Sequence, residues 1–201
     1  MGDVNRLGVE RMTVPSLHES HALGPLYIAV ERFDVHRGVD WDKYIAWSGL
    51  SHVSEIVSLD SMLCPRVIEK IIDEDWAHIV NENFMLDYFV DLHYLLERAG
   101  PTKDKNLLCV FRNPEAQPQP PLGPVRFEFL GYDLVDVHGA VSPITNCGGF
   151  PDIFPGSELN TYGLVGSLSR AGEIRSALFA KYKGESHSET HVWGVCRAIA
   201  L

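Results

Sequence analysis

The chain has 201 residues, of which 45% are hydrophobic and 22% charged, and its formal net charge is −10 at pH 7. This length predicts one domain with one substantial core. The acidity argues against a general nucleic-acid binder, which needs clustered Lys and Arg, and against docking on anionic lipid. We therefore expect no nucleic-acid partner and no membrane partner, whereas a basic protein or a small molecule suits the charge.

The N-terminal segment differs from the rest of the chain. Residues 1–24 show weak periodicity and carry several charges, so we expect an arm without a secretory signal, followed by a single domain over 25–201. No apolar stretch is long enough to span a bilayer. Scattered cysteines suit free thiols in a reducing cytoplasm better than a disulfide framework. The four cysteines are Cys64, Cys109, Cys147 and Cys196.

The first half of the domain predicts two strands and three helices. Residues 26–35 alternate between apolar faces and predict a strand, and 53–59 predict a second one. A short helix is expected from Asp40 to Trp47, ended by Gly49. Pro65 suits the first turn of a helix that extends over the apolar stripe to Ile72. The last helix of this half is predicted over 84–98, ending before Gly100 and Pro101.

The second half of the domain is richer in strands. Residues 106–112 predict a short buried strand, and 113–124 contain five prolines and predict a stiff, exposed connection. The longest strand signal covers 125–137. Ser167 is expected to cap a helix that runs to about Tyr182. The final strand is predicted over 192–200.

The order of these elements determines the expected fold class. Strict alternation of strands and helices is absent, so an α+β fold is favoured over a doubly wound parallel sheet. We expect a single domain in which a mostly antiparallel sheet of about five strands is covered by two or three helices. The strands at 125–137 and 192–200 are expected near the centre of this sheet, and chemistry is expected where the first of them ends.

Residues 136–149 contain a candidate thiol site. Asp136 and His138 are two residues apart on a strand, so their side chains share a face and the carboxylate can orient the imidazole as a general base. Cys147 precedes two glycines whose N–H groups can approach an oxyanion. These three residues are therefore candidate catalytic residues of a small hydrolase. The alternative is a solvated strand end followed by an ordinary Asn-Cys-Gly-Gly turn, and the short motif favours this alternative.

A candidate metal site combines two histidines near the C-terminus with the same strand end. His187 and His191 are four residues apart, and His138 and Asp136 are the obvious additional ligands if the strands are adjacent. Zinc is the metal that this ligand set suits. The alternative, which we favour, is a polar loop that contains histidines, because Gly184 and the serines beside His187 indicate a loop rather than a helix.

Composition and motifs together favour a binding role. Phosphate-binding loops and the GxSxG nucleophile elbow are missing. The leading hypothesis is a cytoplasmic interaction module of inhibitor or immunity type that holds a protein partner through an acidic face. The alternative is a small thiol- or metal-dependent hydrolase that uses 136–149, so whether the chain is an enzyme stays open.

Overall fold

The computed structural model describes residues 22–199 except 81–86, 102, 138–140, 147–149 and 186–187. Most of this part folds into an antiparallel sheet and three α-helices, with a short separate ladder. The strands of the main sheet are β1 (Leu23–Glu31), β4 (Lys105–Arg112), β5 (Phe127–Asp136) and β6 (Thr190–Ala198). The ladder pairs β2 (Phe33–Asp34) with β3 (Glu55–Ile56). The helices are α1 (Val39–Ser48), α2 (Leu92–Ala99) and α3 (Leu168–Lys181).

The predicted fold class is confirmed. The described residues form one compact α+β unit with a mostly antiparallel arrangement of strands. The main sheet has four strands, and the two short strands lie in the ladder instead of extending it. None of the described helices has both the length and the apolar character needed to cross a membrane.

The strand order of the main sheet is β1-β4-β6-β5. The C-terminal strand is therefore internal, as expected, but the prediction that β5 is central is wrong. β5 is an edge strand whose outer side is bridged by Val165 to Tyr132, through hydrogen bonds of 2.8 and 2.9 Å. This cover explains the error, because an edge strand that is shielded by a loop carries the same apolar run as a central strand.

Both faces of the sheet are buried. Along β1, Leu26, Ile28 and Val30 belong to one hydrophobic cluster, whereas Tyr27 and Ala29 belong to another. The alternation follows from the two-residue period of a strand. Helices α1 and α3 contribute their apolar residues to the first cluster, and α2 contributes to the second. The sheet is therefore covered from both sides.

Local signals placed α1 and α3 correctly. Gly49 adopts a left-handed conformation at the end of α1, with φ of 71°, and its N–H bonds to Ile45 O. The hydroxyl of Ser167 accepts a hydrogen bond from the N–H of Arg170 at the start of α3. Both caps were predicted from these residues.

The predicted helix over 84–98 is wrong in its first half. Residues 84–86 lie outside the described part, and α2 begins only at Leu92, where Asp91 accepts hydrogen bonds from the N–H groups of two following residues. Phe89 is extended and exchanges two 2.8 Å backbone hydrogen bonds with Tyr27 of β1. Pairing with the free edge of β1 therefore competes successfully with helix formation.

The helix predicted from Pro65 to Ile72 is not formed. The segment is extended and forms backbone hydrogen bonds with β1. The N–H of Glu31 donates to Pro65 O at 2.9 Å, and the N–H of Val67 donates to Ala29 O at 3.0 Å. Val67, Ile68 and Ile71 belong to the second cluster, in which Ile68 is buried, whereas Ile72 is exposed. The strand predicted over 53–59 is likewise reduced to the two residues of β3.

The proline-rich segment 113–124 joins β4 to β5, as predicted, but it is not fully exposed. Pro118 is buried and lies against Gly194 of β6, where a Cβ atom would overlap its ring. Gly194 therefore permits the close approach of this segment to the sheet. The prolines act as a cover as well as a connection.

Candidate functional site

The predicted site residues fall partly outside the described structure. Cys147, His138 and His187 lie in segments that are not described, whereas Asp136 and His191 lie in β5 and β6. The thiol site and the metal site therefore stay predictions. Among the residues that the structure does describe, no group of three His, Cys, Asp or Glu side chains could hold a metal ion.

The register of β5 and β6 fixes the relation between Asp136 and His191. His191 pairs with Val135, and Asp136 pairs with Thr190. Paired residues of antiparallel strands share a face and successive residues alternate, so Asp136 and His191 start from opposite faces of the sheet. A common metal site for these two would require one of the side chains to reach around the strand end.

A buried carboxylate lies three residues before Asp136. Asp133 is fully buried and accepts hydrogen bonds from Ser58 Oγ at 2.6 Å, from Leu59 N–H at 2.9 Å and from Ser142 Oγ at 2.8 Å. Burial raises the pKa of Asp133 to about 6, although these hydrogen bonds favour the ionised form.

A second buried carboxylate fixes the segment that leads to Cys147. Asp60 accepts hydrogen bonds from Ser142 N–H at 2.8 Å and from Asn146 Nδ2 at 2.9 and 3.1 Å. The hydroxyl of Tyr44 donates to Thr145 O at 2.9 Å. Residues 142–146 are thus attached to the core by buried polar bonds immediately before the predicted nucleophile, whose own position is not described.

A cavity of about 330 Å³ lies between the ends of β5 and β6 and one side of α3. His191 lines this cavity, and burial together with the positive charges of Arg112 and Arg175 lowers its pKa to about 4. The imidazole is therefore neutral at pH 7. The full lining comprises Val137, Gly172, Arg175, Ser176, Phe179, Ser188, Glu189, Thr190 and His191.

A second candidate surface is the solvent-facing side of α1, which we call the α1 surface. It consists of Val39 and Trp47, which are 65% and 54% exposed, together with the exposed Asp40, Asp42 and Lys43. Val39, Lys43 and Trp47 follow one another at four-residue spacing and so lie on the same side of the helix. The core does not require these side chains, because Trp41 and Tyr44 supply the buried face.

Sequence reasoning missed three residues of these sites: Asp60, Asp133 and Arg175. An aspartate gives no local sign that its carboxylate will be buried. For Arg175 a signal existed, because it lies four residues after Ala171 and three before Leu178, at the border of the apolar stripe of α3.

No family model matches the chain, and neither a curated protein nor a solved structure matches it. What the sites do must therefore follow from their own chemistry and geometry.

Proposed function

We propose that the chain is a cytoplasmic interaction module that binds a basic protein partner through the α1 surface, with an inhibitor- or immunity-like role as the concrete form. The observation that carries the proposal is the exposed Trp47, which lies two turns from the exposed Val39 on the same side of a helix with carboxylates in its first turn. Tryptophan is among the residues that contribute most to the stability of protein interfaces.

The aromatic residues beneath the α1 surface support Trp47. Its ring lies 6.1 Å from the ring of Tyr44, which contacts Trp41 and Phe33 at centroid distances of 6.0 and 5.2 Å. An indole held in this way loses less conformational freedom on binding than a free one. The apolar group is therefore partly pre-organised for contact.

Charge favours a basic partner. Asp40 and Asp42 flank the apolar residues of the α1 surface, and the whole chain carries a formal charge of −10. The same carboxylates also stabilise the first turn of the helix, so their presence alone does not establish a binding role. A complementary positive surface would be attracted over long range, and the association rate would fall with salt.

The test uses purified wild-type chain as bait, at low and moderate salt, with Trp47→Ala as the binding variant. Trp76→Ala is the matched control, since Trp76 is 49% exposed and lies outside α1. We expect the bait to capture a basic protein. When binding is measured again with this partner purified, it should be lost in Trp47→Ala, kept in Trp76→Ala and weakened by salt. The proposal would be contradicted if the bait captured no partner at either salt concentration, or if both variants bound the partner equally.

The thiol hydrolase is the second candidate function, and the attachment of residues 142–146 to Asp60 and Tyr44 favours it. A nucleophile at Cys147 would follow a firmly held segment, as covalent catalysis requires. The test is turnover of activated esters and amides by the wild type and by Cys147→Ala. Equal turnover by the two proteins would exclude this function.

The metal-dependent form of the enzyme would use His138, Asp136, His187 and His191 with zinc. Elemental analysis of the purified chain tests it directly. After exposure to stoichiometric zinc and desalting, one bound ion per chain is expected, and a double variant of His187 and His191 should lose it. If the wild-type chain retained no zinc after desalting, the metal site would be excluded.

A further inference from the structure

The guanidinium of Arg175 lines the cavity beside β6. Arg175 is half-buried on the side of α3 that lines the cavity. Within the described part of the chain Arg175 forms no ion pair with a carboxylate, and burial lowers its pKa. Glu189 also lines the cavity, but it forms no ion pair with Arg175.

The hydrogen bonds of Asn113 fix which nitrogen of His191 carries the proton. The N–H of Val192 donates to Asn113 Oδ1 at 3.1 Å, which orients the side-chain amide. Asn113 Nδ2 then donates to His191 Nδ1 at 3.1 Å, so Nδ1 is the acceptor. In the neutral imidazole the proton therefore lies on Nε2. Among the described residues, none accepts a hydrogen bond from this N–H group.

We propose that this cavity binds a small molecule through an oxyanion group, either a phosphate or a carboxylate, held by Arg175 and by the Nε2–H of His191. The planar guanidinium offers two parallel N–H donors that match two oxygens of such a group. A cavity of about 330 Å³ accommodates a small ligand, and Phe179 and Val137 supply apolar walls.

This site is independent of the α1 surface, so each can fail without the other. A metal ion is the less suitable occupant here, because Nδ1 of His191 already accepts a hydrogen bond, Nε2 carries the proton and the guanidinium of Arg175 lines the same cavity. The polar lining therefore favours an anion over a cation.

The test is a titration of the isotope-labelled full chain at pH 7 and constant ionic strength, followed by NMR on the imidazole signals of His191. The probes are sodium phosphate and sodium acetate, with sodium chloride as the reference for general salt effects. Saturable shifts with phosphate, with acetate or with both support the site and assign the class of oxyanion. The absence of saturable shifts with either probe overturns it.

Two variants connect the binding to the cavity. Arg175→Gln is expected to weaken binding about tenfold or more, since a charge-assisted hydrogen bond is lost. Arg170→Gln is the matched control on the same helix, because Arg170 is paired with Glu158 and Glu173 and lies outside the cavity. Equal weakening by both variants would assign the binding to net charge and overturn the site.

Gly172→Leu provides a test that does not depend on charge. Gly172 lines the cavity within α3, and a Cβ atom built there meets no atom within 4 Å apart from its chain neighbours and the backbone of its own helix. A leucine is a better helix former than glycine, so we expect the variant to stay folded while its side chain fills the cavity. Loss of oxyanion binding with an unchanged or higher unfolding midpoint supports the site, and undiminished binding overturns it.

Discussion

Replacing the buried carboxylate of Asp133 with an amide should raise stability near neutral pH. The pKa of about 6 in the folded chain compares with 3.8 for a free aspartate. This difference corresponds to about 3 kcal/mol of free energy that opposes folding once the group is ionised. In Asp133→Asn, the amide oxygen can accept from Ser58 and Leu59 while its NH₂ group donates to Ser142 Oγ, since that hydroxyl can rotate.

The sign of the effect follows from proton binding. Between about pH 4 and pH 6 the folded chain holds a proton on Asp133 that the unfolded chain has lost. The contribution of Asp133 to the free energy of unfolding therefore falls as pH rises through this window and is constant above it. In Asp133→Asn this contribution is absent, so the two proteins should be similar near pH 4 and differ by up to about 3 kcal/mol at pH 7.

Urea unfolding of both proteins at several pH values between 4 and 7 measures this difference. Titrating groups that are distant from Asp133 contribute equally to both curves, so they cancel when the wild-type free energy is subtracted. Asp42→Asn is the matched control, because Asp42 is exposed and its replacement leaves the buried carboxylate of Asp133 in place. A variant that becomes less stable than the wild type toward pH 7 would refute the reasoning, since the buried carboxylate would then be favoured in its charged form.

Three further predictions concern a cap, a close contact and the thiols. Asp91→Ala should lower the free energy of unfolding by about 1 kcal/mol in urea titrations, because two N-terminal N–H groups of α2 lose their acceptor, and an unchanged midpoint would contradict this. Gly194→Ala should lower the free energy of unfolding by about 1 to 3 kcal/mol, because the new Cβ atom overlaps Pro118. A higher thermal midpoint would contradict this and show that the proline-rich segment can move away from the sheet at no cost. Iodoacetamide at pH 8, followed by peptide mass spectrometry, should leave three buried thiols unmodified until urea is added, since burial raises their pKa, and rapid native labelling of any of them would disprove this. The three are Cys64, Cys109 and Cys196.

Signals that depend on neighbours in the sequence were sufficient for several elements. Ser167 and the apolar residues that follow it at helical spacing define α3, and Gly49 ends α1. The alternation along β1 and the long apolar run of β5 identified both strands. Such signals succeed because caps and periodicity act within one turn or one strand.

Pairing between distant segments decided what the sequence did not show. The apolar stripe after Pro65 is compatible with a helix by itself, but the open edge of β1 offers it backbone hydrogen bonds in an extended form. Phe89, which was predicted to be helical, is extended because it pairs with the same edge of β1. Local propensity amounts to tenths of a kcal/mol per residue, so a few sheet hydrogen bonds and a buried face outweigh it.

By itself the sequence determined an acidic α+β domain, the helices α1 and α3 and the apolar strands of the main sheet. The roles of Asp136, His138, Cys147, His187 and His191 stay predictions. Only the tertiary structure decided which polar groups are buried and which ones meet. Asp133 becomes a weak acid because distant residues bury it, and Arg175 and His191 line one cavity because α3 packs beside β6. Desolvation and charge proximity are properties of the packed molecule, and no local pattern of residues encodes them.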